Sequence, residues 1–353
     1  MAGFDVSKID RDTWLRSVFP EWGTYLNEKI DQTVVPEGKF SMWWLGCTGI
    51  WLKTPGDANI TVDYWTQRGR DKLQREPYEE VKDTQIVRMT GSLGRPAFLR
   101  CSPQVMDPFA ITKLDAVLST HIHRDHICPY VAASACKNTD AVFIGPSMAC
   151  DIWESWGVPK SRIVRVKPGD EYRIKDTTIK ALESFDRTIL ITPPPLGDLK
   201  GKLLDMDERA VNYLITTPAG SVYHSGDSHF SNSYFKHGRD HNIDICFVSY
   251  GQNGPGITDK VPASDCLRIA QNLRAKLLVP IHWDLWSAQM PDPHELAMLH
   301  DFNKHWMKFN LFIWKVGGQL TWPDDQDVLW YNYPKDDEDF YTNEPNWPFP
   351  TFL

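Results

Sequence analysis

Apolar positions fall in short runs of four to seven residues separated by Gly, Pro and Asp, a rhythm of strands and turns with a few helical stretches between them. Phe40 to Leu45 predicts a strand, Gly46 to Gly49 a turn, and Ile50 to Lys53 its partner. Ile60 to Tyr64 predicts a third strand that ends at Asp63. Ala116 to Thr120 reads as a buried strand that runs directly into His-Ile-His-Arg-Asp-His at 121 to 126. Helical patterns follow at Val131 to Lys137 and Met148 to Trp156, on either side of a strand at Ala141 to Ile144. Ile163 to Val166, Glu171 to Ile174 and Thr178 to Leu182 predict successive strands, the last aimed at Asp186. Val211 to Thr216 and Ser221 to His224 form a hairpin through Pro218-Ala219-Gly220, ending at Gly226-Asp227. A strand at Ile243 to Ser249, a helix at Ala263 to Asn272 and a strand at Lys276 to Ile281 bring the chain to His282. Several strands thus end in a turn that presents His or Asp, the way an α/β scaffold gathers distant side chains at one sheet edge.

Composition narrows the picture. A chain of 353 residues, 42% hydrophobic, is long enough for a large core, and one continuous α/β domain over 1–353, with N- and C-terminal extensions, is the simplest reading. Arg68 to Pro96 is polar and predicts a surface excursion, a lid or an oligomer contact, and the aromatic tail from Trp322 predicts an extended wrap. The net charge of -8, without a Lys/Arg-rich run, disfavours nucleic acid as a partner. Met1 to Asp12 lacks the apolar core of a signal peptide, and Met42 to Leu52 is too short to span a bilayer, so no membrane partner and a cytoplasmic location are expected. Seven dispersed cysteines suit free thiols in a reducing compartment. Cys128, two residues after His126, is either a thiolate ligand or, more simply, a small packing residue.

The histidine cluster carries the chemistry. Three of the 11 histidines fall within six positions, interleaved with an acid. On a helix His121 and His123 would project about 200° apart, whereas on an extended segment both point the same way. The motif is therefore non-helical at its start, and a turn after His123 swings Asp125 and His126 toward a second position, a layout for two metals. Imidazoles and carboxylates without thiolates suit divalent ions such as Mn, Fe or Zn.

His-x-His-x-Asp-His after a strand resembles the metal motif of the metallo-β-lactamase superfamily. The later Tyr-His-Ser-Gly-Asp-Ser-His at 223 to 229 and Pro-Ile-His-Trp-Asp at 280 to 284 match that family's bridging Asp and last His. The resemblance implies an αββα sandwich, two sheets flanked by helices, with Asp227 and His282 joining the site and Asp63 as a supporting acid. Where the family commonly has a third His, this chain has Ser184-Phe185-Asp186. Asp186 either replaces the imidazole, hardening the site toward Mn, or leaves the first metal under-coordinated and one ion held tightly. On this reading His121, His123 and Asp186 hold the first cation, and Asp125, His126, Asp227 and His282 the second. Metal-activated hydroxide is then the nucleophile, with Asp125 orienting it or taking its proton and Asp227 bridging.

A narrower resemblance lies in WWLGCTGIWL (43 to 52), FDRT (185 to 188), RAVNYL (209 to 214), SYGQN (249 to 253) and GITDK (256 to 260). These segments are similar to the ascorbate-phosphate lactonase family, which implies a Mn-dependent, cytoplasmic homo-oligomer opening a small phosphorylated lactone. Arg187, Arg209 and Lys260 are the candidates for the phosphate, and Tyr250 and Asn253 for the sugar. His224 and His229, flanking Asp227, are either supporting partners or an acid for the leaving alkoxide, and Trp283 and Trp286 adjoin His282. Arg124 offers a cation beside the metals or is an ordinary loop residue. The alternative activity on this scaffold is that of a phosphodiesterase or ribonuclease, which needs a basic groove that is not visible here.

Overall fold

The computed structural model describes residues 5–11, 13–14, 25–67, 69–70, 98–192, 205–251, 260–285 and 290–333. Its strands, in chain order, are β1 (Phe40–Gly46), β2 (Gly49–Lys53), β3 (Asn59–Val62), β4 (Gly69–Arg70), β5 (Phe98–Leu99), β6 (Ala116–Leu118), β7 (Val142–Gly145) and β8 (Ile163–Arg165). The second half supplies β9 (Glu171–Ile174), β10 (Thr177–Glu183), β11 (Val211–Thr217), β12 (Gly220–His224), β13 (Ile245–Ser249), β14 (Leu277–Ile281), β15 (Asn310–Leu311) and β16 (Gln319–Trp322). One seven-stranded sheet has the order β16-β1-β2-β3-β6-β7-β8 and the other β15-β14-β13-β12-β11-β10-β9, while β4 and β5 form a separate ribbon. Each sheet is mixed. In the first, β16 through β3 pair antiparallel and β3, β6, β7 and β8 parallel; in the second, β9 through β12 are antiparallel and β12 through β15 parallel.

The period of two along the strands shows how the layers stack. In β13, Ile245 and Phe247 join the core that also holds Trp43, Trp51, Ile60 and Leu118 of the first sheet, while Cys246 and Val248 point to a second core beneath the helix Ala263–Leu273. In β14, Leu277, Val279 and Ile281 face inward and Leu278 outward. With both faces covered, these strands read as continuous apolar runs. The helices Pro129–Asn138 and Ser147–Ser155 contribute buried residues to the first core, so the layers are helix, sheet, sheet, helix, the expected αββα sandwich.

Most strand boundaries lie within two residues of their expected places. β3 stops at Val62, so Asp63 lies just beyond it, in a left-handed turn with φ 49°. The segment expected as an extended wrap begins differently: Trp322 pairs with Phe40 and belongs to an edge strand of the first sheet. Apart from Gly69–Arg70, the polar excursion from Arg68 to Pro96 lies outside the described residues, as does Trp286. No helix of the described residues is long and apolar enough to cross a membrane.

Candidate metal centre

The ends of β3, β6, β10, β12 and β14 and the β1–β2 turn meet at the same edge of the sandwich. β6 ends at Leu118, and the residues after it are clamped before the histidines begin: Tyr213 donates its hydroxyl to Ser119 O at 2.9 Å, and Ser119 Oγ donates to His121 O at 2.7 Å. Thr120 donates from its N–H and its hydroxyl to the two oxygens of Asp63, both at 2.7 Å. A turn closed by His126 N–H on His123 O at 2.9 Å then reverses the chain, which places His126 on the same side as His121. His121 and His126 are buried, His123 is half-buried, and Asp125 keeps 13% of its side chain exposed.

The hydrogen bonds fix which ring nitrogens face inward. His126 Nδ1 donates to Asp63 Oδ2 at 2.8 Å, leaving Nε2 toward the centre. Thr120 Oγ1, already donating to Asp63, accepts from His121 Nδ1 at 3.0 Å, and Thr192 Oγ1, already donating to Thr188 O, accepts from His123 Nε2 at 2.7 Å. The remaining lone pairs, on His121 Nε2 and His123 Nδ1, then face each other at 2.9 Å. Two acceptors in that posture repel unless a cation or proton lies beside them. Asp186 completes this cluster: Oδ1 accepts from the Thr188 N–H at 2.8 Å and hydroxyl at 2.6 Å, while Oδ2 is buried without a hydrogen bond, 3.8 Å from His121 Nε2.

A second cluster lies beside the first. Asp125 Oδ2 is 3.3 Å from His282 Nε2 and 4.0 Å from His126 Nε2. Asp227 stands between the two, with Oδ2 3.2 Å from His126 Nε2 and Oδ1 3.6 Å from His282 Nε2. It is held there by Ser249 Oγ, which donates to Oδ1 at 3.1 Å. The turn that delivers Asp227 requires Gly226: at φ 50° a Cβ would come within 2.7 Å of Thr120 Oγ1. His282 has φ 67°, so a strand end that carries a candidate ligand is again set in a left-handed turn by its surroundings.

Electrostatics separate the clusters. Burial, reinforced by the neighbouring His126 and His123, holds His121 well below the ordinary imidazole value, so it stays neutral. Burial also works against charge on His126, but Asp227, Asp63 and Asp125 outweigh it and lift its pKa well above the ordinary value. His282 is raised in the same way, against burial, by Cys47, Asp227 and Asp125. Burial pushes Asp186 up, and only partly offsetting it is the nearby His123. Nε2 of His126 and Oδ2 of Asp186, without a hydrogen bond among the described residues, together with facing lone pairs and converging carboxylates, form groups that could hold a divalent cation.

The expected substrate contacts divide. Lys260 is buried and close enough for its charge to oppose protonation of His282. Arg187 is exposed and lines a cavity with Asp186, Phe185 and Phe230. The Arg209 guanidinium donates to the carbonyls of Ile189 and Thr192 at 3.1 and 3.0 Å, and so braces the loop that carries the Thr192 hydroxyl to His123. Tyr250 donates to Asp292 O at 2.9 Å. Asn253 lies outside the described residues. His224 donates from Nε2 to Thr48 O at 2.9 Å and accepts from Gly226 N–H at 3.2 Å, which makes it a brace for two turns. Cys128 lies 3.3 Å from Thr66 Oγ1 and is not grouped with the centre's donors. Cys47, by contrast, is grouped with Asp125, His126 and His282, and Thr48 Oγ1 is 3.1 Å from His126 Nδ1. Neither residue sits in a metal-like spacing; the signal for them was the Gly46-to-Gly49 turn, whose place in the fold becomes visible only when the sheets are assembled.

Known proteins resemble this chain in sequence and in fold. A model described as a beta-lactamase superfamily domain matches residues 91–283. Two proteins named as probable L-ascorbate-6-phosphate lactonase UlaG, from Escherichia coli O81 and from the Escherichia coli Crooks strain, are each 49% identical over 353 residues, covering 99% of this chain and 99% of their own. Among solved structures, a possible metal-dependent hydrolase from Veillonella parvula aligns with TM-score 0.56 and 11% identity, over 79% of this chain and 98% of its own. The isothiocyanate hydrolase from Delia radicum gut bacteria aligns with TM-score 0.54 and 19% identity over the same shares, 79% and 98%. At those identities the structures speak for the fold alone. Fold and donor set together define a metal-dependent hydrolase. The chain belongs to the β-lactamase superfamily and, within it, to the family of the lactonases that it matches from end to end.

Proposed function

We propose that this enzyme opens a phosphorylated sugar lactone, L-ascorbate 6-phosphate, to 3-keto-L-gulonate 6-phosphate. The observation that carries the reading is the 49% identity to proteins named as probable L-ascorbate-6-phosphate lactonase along 99% of both chains, on a scaffold with the donors for two cations. His121, His123 and Asp186 are proposed to hold one cation and Asp125, His126 and His282 the other, with Asp227 between them. The cations are divalent, and the carboxylate of Asp186 in place of an imidazole favours manganese at the first position. Bound there, such ions supply Lewis acidity and hydroxide near neutral pH.

The chain's own groups do the rest. Asp125, the most exposed carboxylate of the second cluster, orients the attacking water and accepts its proton. Attack on the lactone carbonyl carbon breaks the ring C–O bond, and the departing oxygen needs a proton. His229 is suited to give it: Nδ1 accepts from the Arg187 N–H at 3.2 Å, so the other nitrogen carries the hydrogen, and that Nε2 has no hydrogen-bond partner among the described residues. Lys260 supplies positive charge toward the phosphate.

The test is turnover of L-ascorbate 6-phosphate by protein reloaded with manganese, beside bis(p-nitrophenyl) phosphate under the same conditions. The expected result is lactone opening without phosphodiester cleavage. Phosphodiester cleavage with an intact lactone would overturn the assignment.

A further inference from the structure

Cys47 sits in the β1–β2 turn in a backbone posture that costs an L residue energy, φ 56°, and the surroundings enforce it. Its N–H donates to both oxygens of Asp284 at 3.2 Å, and its carbonyl accepts from Trp44 Nε1 at 2.8 Å and from the His282 N–H at 3.0 Å. These bonds fix the backbone from which the side chain projects. Sγ, fully buried, lies 3.7 Å from His282 Nε2 and 3.9 Å from Asp125 Oδ2, and those two atoms are 3.3 Å apart. Donors bound to one tetrahedral cation at about 2.0–2.3 Å stand about 3.3–3.7 Å from each other. The separations of 3.3, 3.7 and 3.9 Å fall in or just above that range, but Sγ is as near to His282 Nδ1, at 3.6 Å, so the imidazole or the thiol must turn for Nε2 and Sγ to share a cation.

A fourth donor points the same way. His126 Nε2 is buried, has no hydrogen bond among the described residues and lies 4.0 Å from Asp125 Oδ2, and a ring nitrogen of His126 falls within 4.8 Å of donor atoms of Cys47, Asp125 and His282. The neighbouring Thr48 lies against the far side of that ring, 3.1 Å from Nδ1, so one turn serves two ligands of the same position. Cys47 Sγ also faces the Asp125 carbonyl at 3.5 Å, as Cys150 Sγ faces those of Gly145 and Val164 and Cys266 Sγ that of Val261, but among the described residues Cys47 alone is grouped with imidazole and carboxylate donors.

We propose that Cys47 is the fourth protein donor at the Asp125, His126 and His282 position, binding as a thiolate, so that this position takes a softer divalent cation than its neighbour. Zinc, iron(II) or cobalt(II) suits a set of sulfur, two imidazoles and one carboxylate, whereas His121, His123 and Asp186 offer no sulfur. Ligation exchanges the S–H proton for the cation and releases that proton to water. The inference rests on the metal-hydrolase reading above.

The probe is cobalt(II), added to the metal-free, full-length protein, with cobalt per chain measured by elemental analysis and the near-ultraviolet sulfur-to-cobalt charge-transfer band recorded. The wild type is expected to show the band; Cys47→Ser is expected to lose it and to bind cobalt more weakly at one position, and Cys128→Ser to keep it. A cobalt-loaded wild type without the band, or Cys47→Ser with the band intact, overturns the proposal. Should Cys47→Ser fail to fold, X-ray absorption at the cobalt edge of the wild type decides instead, with a sulfur neighbour expected at about 2.3 Å and its absence overturning the proposal. A wild type that binds no cobalt overturns the metal reading together with this one, whereas cobalt bound without sulfur overturns this one alone.

Discussion

The cluster of His121, His123 and Asp186 and the cluster of Asp125, His126 and His282 share one wall, Asp227, yet they prepare for a cation in opposite ways. In the first, burial keeps His121 neutral and hydrogen bonds turn two lone pairs toward each other. In the second, negative neighbours outweigh burial and lift the imidazoles well above their ordinary value, Asp227, Asp63 and Asp125 for His126 and Cys47 ahead of Asp227 and Asp125 for His282. The first cluster is a preformed set of acceptors; the second stores its positive charge as protons, which a cation must displace. The difference lies in which influence wins. Around His121, burial and the charges of His126 and His123 outweigh Asp227 and Asp125, whereas around His126 the carboxylates Asp227, Asp63 and Asp125 outweigh burial.

Removing the shared wall should have the largest effect. Asp227→Ala is expected to empty both positions and to lower kcat/KM by more than roughly 100-fold, the usual ceiling for changes outside the ligand shell. Full metal content by elemental analysis in that variant would break the picture of a bridging carboxylate. Asp63→Ala should distinguish the halves. It removes the acceptor that fixes the His126 ring directly and the His121 ring only through Thr120, so cation affinity should drop roughly 10–100-fold at the second position and by less at the first. A titration showing equal losses at both would argue against separate clusters.

The protonation difference gives a pH prediction. His126 and His282 have raised values in the metal-free fold, so their charged forms add stability that is fully present below the unfolded imidazole value of about 6.5 and is lost as pH rises through the raised values. His121 has the opposite sign: its stability contribution is present above about 6.5 and is lost as pH falls toward its depressed value. Calorimetric metal titrations in buffers of different ionisation enthalpy should therefore show proton release on filling the second position near neutral pH, and little on filling the first. Equal release at both would contradict the assignment of charges. The smallest effect is expected away from the donors. Arg209→Met leaves the carbonyls of Ile189 and Thr192 without its guanidinium, so denaturant melting should report a loss of about 1–3 kcal/mol with metal content unchanged. A raised KM for the phosphorylated lactone with unaltered stability would place Arg209 on the substrate instead.

Much of the architecture was legible in the chain because apolar periodicity survives wherever a strand is covered on both faces. Glu171–Ile174 falls where the pattern placed it, and β13 and β14 differ from expectation only at their first residues. Helices were harder. Pro293–Asn303 buries Leu296 but leaves Met298 and Phe302 exposed, so its apolar residues do not mark a single inner face. In the site, residues close together in sequence, such as His121 to His126, announced themselves by spacing. Asp186, Asp227 and His282 were found through resemblance and through their places at strand ends. Cys47 and Thr192 had no such marker, because a lone thiol and a loop hydroxyl acquire meaning only from what the fold brings against them.

Anomalous X-ray scattering from crystals of the protein soaked with manganese and zinc, with data collected at both absorption edges, tests the two-position centre most directly. Two peaks are expected on either side of Asp227, one bounded by His121, His123 and Asp186 and the other by Cys47, Asp125, His126 and His282. Metal found elsewhere, with neither position filled at saturating concentration, would contradict it.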